Sequence, residues 1–351
     1  MAHAAPARLP WEDLDRLVLP VAGRQLAAVA QVGRLGADPG PLAARAARAV
    51  EAVAEVVPCD AVGLSAWDPV RGRHRPVVVA GLPGPGADAA PDGDPFFDDP
   101  GYRYVRARRT PLRRCDVPGA AENPFVANVL VPAGLVEGVT ACLFAADGRY
   151  TGVLNLGLRR EEPASVEAMA LLTVMLAGLA QLVDLTRDAV AAAAALDPAL
   201  PAALVSVDGG CTPLPGRPDC PLLRPHAPVL AEAWRRRPRD DGMGAFLWHE
   251  DGTLWRVLVA RPGGATLERG TLLVAASPTE VPLSLRELQV LTALAEGGTN
   301  PAIAERLAIG RRTVATHVEH VLEKLGVASR AEAAARATRD GLLLGGPGSV
   351  R

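Results

Sequence analysis

Leu283-Ser284-Leu285-Arg286-Glu287-Leu288-Gln289-Val290-Leu291, continued by Glu296-Gly297-Gly298-Thr299-Asn300-Pro301-Ala302-Ile303-Ala304-Glu305-Arg306-Leu307, reads as two helices joined by a turn. Ser284 and Glu287 stand at capping-box spacing, where a hydroxyl and a carboxylate each satisfy a free backbone N–H of the first turn. Val290, Leu291 and Leu294 form the inner stripe of the first helix, and Gly297-Gly298 ends it. Asn300 before Pro301 predicts the N-cap of a short second helix that buries Ile303, Ala304 and Leu307. After Ala308-Ile309-Gly310 a third helix is predicted from Arg311 to Leu325, because Val314, Val318, Val321, Leu322 and Leu325 fall within an arc of about 100°. Its other side carries Arg312, Thr316, Glu319, His320 and Glu323, a polar surface able to lie in a major groove. A fourth, alanine-rich helix is predicted from Arg330 to about Leu342.

Four segments of this stretch, Leu-x-x-Arg-Glu from Leu283, Gly-x-x-Asn-x-x-Ile-Ala-x-x-Leu from Gly297, Thr-Val-x-x-His from Thr313 and Lys-Leu-Gly-Val-x-x-Arg from Lys324, occur in the order and spacing of LuxR-type DNA-binding domains, which the segment resembles. The resemblance implies an all-α, four-helix helix-turn-helix domain over residues 283–344 whose third helix enters the major groove. It implies DNA contacts from Arg311, Arg312, Thr313, Ala315, Thr316, His317, Glu319, His320 and Lys324, with Asn300 on the second helix. Ala315, Thr316 and Glu319 would face bases, and dimerisation would run through the fourth helix at Ala331, Ala334 and Ala335, within a run that also holds Ala333 and Ala337. Two positions depart from the common pattern. Gly310 replaces a Ser or Thr cap, at a cost of only a few tenths of ~1 kcal/mol, and Ala315 and Glu319 stand where basic residues are usual. From Pro282 to Leu344 eight basic residues face seven acidic ones, so the cationic share of DNA binding is expected to be small.

Composition narrows the alternatives. At 351 residues with 49% hydrophobic content the chain is long enough for two or three cores, and its net charge of −2 marks neither a nucleic-acid coat nor a basic membrane binder. There is a single lysine, Lys324, among 37 basic residues. It stands in Glu323-Lys324-Leu325, so no Gly-Lys-Ser/Thr phosphate loop exists, and a phosphorylated receiver domain lacks its lysine. Five cysteines (Cys59, Cys115, Cys142, Cys211, Cys220) without a CxxC pair read as reduced thiols. His74, His226 and His249 show no metal spacing. Neither a cofactor nor a metal is expected, and no nucleophile constellation supports an enzyme. Residues 1–17 lack the basic and apolar regions of a signal peptide, and the stretch Ala170 to Val183 reads as too short to span a bilayer. The expectation is a cytoplasmic protein off the membrane.

The remainder reads as α+β. Two Ala-rich helices are predicted between residues 22 and 57, then a strand pair (Ala61 to Trp67, Arg75 to Leu82), a Pro/Gly/Asp loop from Pro83 to Pro95 and a helix from Phe96 to Arg109. A hairpin across Asp147-Gly148 follows (Val136 to Ala145, Thr151 to Leu158), then one long helix from Ala164 to about Ala195 with Leu171, Val174, Met175, Leu179, Leu182 and Val183 on its inner side. This order of helices around an antiparallel sheet resembles a GAF sensor domain, residues 22–195. Asn155 is a candidate for lining a ligand pocket there, or a satisfied sheet-face asparagine. Residues 197–277 are expected to form a small PAS-like α/β module: strand Ala203 to Val207, helix His226 to Arg237, a hairpin across Asp251-Gly252 and a strand from Thr271 to Ala276. Residues 278–282 form the linker, and no internal repeat is visible in the sequence. The partners expected are double-stranded operator DNA, a second copy of the chain and an unidentified small molecule, with RNA polymerase a further candidate. The rival reading is a sensor or interaction scaffold whose DNA binding is weak or incidental.

Overall fold

The computed structural model describes residues 9–14, 20–38, 40–82, 97–239, 242–261 and 271–346. The predicted Pro83 to Pro95 loop lies outside the described residues. The chain divides into two compact units, Met1–Arg187 and Asp188–Arg351.

The first unit opens with α1 (Gly23–Ala37) and α2 (Leu42–Val56), then β1 (Ala61–Asp68) and β2 (Arg73–Ala80). α3 follows at Pro100–Arg108, shorter than predicted because Asp99 accepts the Tyr102 N–H and fixes the start. Next come the two-residue β3 (Leu112–Arg113), then β4 (Glu137–Phe144), β5 (Tyr150–Leu158) and α4 (Val166–Val183). The antiparallel sheet runs β2-β1-β5-β4-β3. α2 and α4 cover the sheet face that carries Leu64, Ala141 and Leu154, all fully buried, with α1 packed on those two helices, while α3 packs on the other face.

The long closing helix expected from Ala164 breaks at Asp184. Its buried carboxylate accepts from the Thr186 N–H (2.9 Å) and hydroxyl (2.7 Å), and Arg149 of the β4–β5 hairpin clamps it at 3.0 and 2.9 Å. These side-chain bonds offer the backbone a better alternative than another helical turn. α5 (Arg187–Ala194) restarts beyond the break. Val174, expected inside, is half exposed, and Met169 and Leu172 take the buried places. α4 is, contrary to the sequence expectation, long and apolar enough to cross a membrane by length and composition; half of it is buried in the unit.

The second unit holds β6 (Ala202–Ser206), β7 (Cys211–Pro213), α6 (Pro228–Arg235), β8 (Met243–Glu250), β9 (Thr253–Ala260) and β10 (Thr271–Pro278). Its sheet runs β7-β6-β10-β9-β8. Counted from the first strand of each, both sheets therefore share the order 2-1-5-4-3, a repeat of topology that the sequence does not display. Asp251 and Gly252 both take positive φ (50° and 76°), the geometry that two-residue hairpins need. α6 starts two residues later than expected because His226 is itself left-handed at φ 60°.

Four helices complete the unit: α7 (Leu285–Ala295), α8 (Asn300–Arg306), α9 (Arg311–Leu325) and α10 (Arg330–Arg339). α10 stops short of Leu342 because the chain turns at Gly341 (φ 65°) and runs back along the sheet. A side chain at Gly341 would strike Ala245, its Cβ 2.6 Å from that of Ala245. Leu344 bridges Leu247 in parallel, with Leu247 N–H donating to Leu343 O (2.9 Å) and Gly345 N–H to Leu247 O (2.7 Å). Leu247 and Leu254 of the hairpin thereby join Leu283, Leu288, Leu291, Val321 and Leu325 in one core. Helices and sheet are packed as a single body within this unit.

Candidate nucleic-acid interface

α9 is held by its apolar side. Val314 and Val321 are fully buried, Val318 and Leu325 nearly so, and they pack against Val290, Leu294, Ile303 and Leu307 in one direction and Leu288 and Ala337 in the other. The helix starts at Gly310 without a side-chain cap, as expected, and ends in a left-handed Gly326 (φ 62°). Arg311, Arg312, Thr313, Thr316, Glu319 and His320 consequently stand exposed, with Ala315 and His317 partly covered between them. Thr316 Oγ1 donates back to Arg312 O at 3.2 Å. The Nδ1 of His317 is buried and has no hydrogen-bond partner among the described residues.

Residues Leu283 to Lys324 fold around one polar knot. Ser284 N–H donates to Glu287 Oε2 (2.8 Å) and Glu287 N–H to Ser284 Oγ (3.3 Å), the predicted capping box. Lys324, at the end of α9, donates to both oxygens of the same carboxylate at 3.0 and 2.8 Å, and His320 Nδ1 lies 3.8 Å off. Burial pushes the Glu287 carboxyl up, but the ammonium and the Ser284 donors outweigh it and hold it below its ordinary value.

Bacterial regulatory proteins of the luxR family, the GerE family, match residues 281–337. Those residues form a LuxR-type helix-turn-helix domain. Over 74 residues the chain is 46% identical to the probable transcriptional regulatory protein NarL of Mycobacterium tuberculosis, covering 21% of this chain and 34% of that protein. Over 61 residues it is 46% identical to the transcriptional regulatory protein LiaR of Bacillus subtilis, covering 17% of this chain and 29% of that protein. The chain thus spans about a third of the length of the curated relatives it matches. Among solved structures, 48% of the chain is similar to 99% of a GAF domain from a Coxiella burnetii phosphoenolpyruvate-protein phosphotransferase, at 18% identity and a TM-score of 0.36.

Within the LuxR-type domain most cations are already engaged. Arg286 donates to Gln289 and Leu307 O, Arg306 pairs with Glu296, Arg336 with Asp340, and Arg339 also with Asp340. Arg330 donates to Asn300 Oδ1 and to Gly298 O (2.8 Å), which places Asn300 in an internal bond. Thr299, and not Asn300, caps α8, its Oγ1 accepting the Ala302 N–H at 3.4 Å. The sequence alone misses this because two adjacent residues are both good caps and the turn decides between them. Arg311 and Arg312 are left without an internal partner among the described residues.

The alanines of α10 divide. Ala333 and Ala337 are fully buried against α7 and so are no part of an outer face, which corrects the reading of an unbroken small-residue surface. Ala331 and Ala335 are exposed and Ala334 is partly covered.

Proposed function

We propose that this chain is a DNA-binding transcription regulator that reads its operator with the outer face of α9. The observation that carries this reading is the contrast along one helix: the valine stripe is buried while Arg311, Arg312 and Glu319 stand exposed without internal partners among the described residues. Arg311 and Arg312 at the helix start are suited to phosphate, and Thr316 and Glu319, with Ala315 beside them, to base edges. His317 and His320 would flank the groove, and Thr313 would meet the backbone. Lys324 and Asn300 serve the domain's own packing, so their part at the DNA is indirect.

One short reading helix covers a half-site, so a second copy is proposed, meeting through Ala331, Ala334 and Ala335. Residues 22–195 would act as a GAF-like sensor of a small molecule and residues 197–277 as a PAS-like module that transmits its state, with 278–282 as the linker. Activity would be regulatory and non-enzymatic, in the cytoplasm, with RNA polymerase a further partner. The test is selection of bound duplexes from a random library by the full-length protein. A reproducible motif with two-fold symmetry supports the reading, and retention of no sequence above background leaves the sensor or scaffold alternative.

A further inference from the structure

Cys211 and Cys220 are the two cysteines of the second unit, and all five cysteines of the chain are free thiols in this structure. A tight turn separates the pair. Arg217 N–H donates to Leu214 O at 3.3 Å, with Pro215 and Gly216 between them and Gly216 supplying the positive φ (73°) that such a turn requires. Counting outward from the turn, Pro213 comes against Pro218, Thr212 against Asp219 and Cys211 against Cys220. In antiparallel chains this third place out is a non-hydrogen-bonded one, where Cα atoms approach to about 4.5 Å, inside the roughly 4.4–6.8 Å that a disulfide spans. Pro213 and Pro218 have no N–H to lend a ladder, so packing holds the returning stretch. That packing agrees with the count. Cys211 lies across from Val205 in the β6–β7 register and faces the same core as Val205, and Cys220 packs on that core too, among Leu222, Leu223 and Val229.

The two thiols also feel each other's charge. Burial first, and the neighbouring Cys220 second, push the Cys211 thiol up to about 11. Burial raises Cys220 as well, but the N–H groups of Leu222 and Leu223 point at its sulfur and, with the Arg224 guanidinium, take back part of the rise. Cys220 is therefore the first of the pair to ionise and Cys211 the second. Both are partly buried, so a small reagent can reach them, and the other three cysteines belong to the first unit.

We propose that Cys211 and Cys220 form a reversible modification site, closed to a disulfide by exchange with a small-molecule disulfide. The Cys220 thiolate attacks one sulfur of that reagent, making a mixed disulfide and expelling one thiolate; Cys211, deprotonated in its turn, attacks Cys220 Sγ and expels the second. The pair gives up two protons and two electrons, and the reagent, taking them, leaves as two thiols. Because both thiols ionise above neutrality, closure is slow at pH 7 and quickens with the thiolate fraction. The bond fastens β7 to the loop that enters α6, and α6 grips the C-terminal return: Arg236 Nη2 donates to Leu344 O at 3.0 Å, and Leu344 N–H to Thr292 Oγ1 of α7 at 2.9 Å. A redox signal thereby enters the body that carries the helix-turn-helix. The proposal is independent of whether the chain reads DNA.

The experiment treats full-length protein carrying Cys59→Ser and Cys115→Ser, which removes the other two thiols that are not buried, with oxidised glutathione, and follows intact mass and differential alkylation. The mass should fall by two hydrogens, with Cys211 and Cys220 both protected from alkylation and both released by dithiothreitol. With Cys211→Ser added, the mass should instead rise by one glutathione, held on Cys220. The rate of closure should increase about tenfold from pH 7 to pH 8, and the oxidised form should unfold at higher denaturant than the reduced one. If Cys211→Ser does not fold, the alkylation map of the parent protein decides alone. Cys211 and Cys220 both left open to alkylation, a bond from either to Cys142, or a bond between two chains overturns the proposal.

Discussion

Lys324 and Glu287 are bonded through both carboxylate oxygens, so the one lysine of the chain ties the end of α9 to the start of α7. A pair with its carboxylate buried and its ammonium two-fifths exposed orders the domain more than it attracts DNA. Replacing Lys324 by Met should cost about 2 kcal/mol of stability, as expected for hydrogen bonds to a charged group. DNA affinity should move less than threefold. Denaturant unfolding and gel-shift titration of the same preparation check the two halves separately.

The same pair sets an acid limit. The folded Glu287 carboxyl is held below its ordinary value of 4.5, so its contribution is fully present above that pH and is lost as the pH falls through the lower folded value. Stability of residues 188–351, followed by denaturation from neutral pH downward, should therefore decline below about pH 4.5. In Lys324→Met only the Ser284 donors still hold the buried carboxyl down, and this part of the decline should flatten.

Salt dependence follows from the census of cations. With Arg311 and Arg312 as the unengaged ones on α9, about two phosphates are neutralised per protomer, and the slope of log K against log salt should be near −2 per half-site. Filter binding across a salt series measures it. A slope near that of a protein releasing about ten counterions would require cations this domain does not leave free.

Sheet and helices of the second unit should unfold together. Leu247 is fully buried among Leu283, Leu288 and Leu291, and Leu344 returns to it by backbone bonds. Leu247→Ala should destabilise by about 2–5 kcal/mol, in one transition shared by sheet and helix probes. A fragment of residues 280–346, deprived of Leu247 and Leu254, should unfold at lower denaturant than residues 188–351.

Much of this was legible where local chemistry decides. The Ser284–Glu287 box, the valine stripe of α9 and the Asp251-Gly252 turn depend on residues within one or two turns of each other. What escaped depends on distant partners. The break at Asp184 is fixed by Arg149 from a hairpin 35 residues earlier, and the internal use of Asn300 by Arg330, 30 residues later. The return of Leu344 to the sheet edge follows a glycine turn whose tight approach to Ala245 no periodicity records. Of the candidate interface, the exposed face of α9 was readable from its period. That Lys324 is bonded to Glu287 required knowing which carboxylate lies across the helix pair.

The central claim, that α9 reads DNA through Thr316 and Glu319 above an arginine anchor, is tested most directly by one comparison. Binding of wild type, Glu319→Ala and Arg312→Ala is measured on the selected site and on every single-base variant of it, at fixed salt. Glu319→Ala should raise affinity for unrelated DNA and lose about 1–3 kcal/mol of discrimination at one base pair. Arg312→Ala should weaken all sequences about equally. Unchanged discrimination at every position in Glu319→Ala would contradict the account and place the reading face elsewhere.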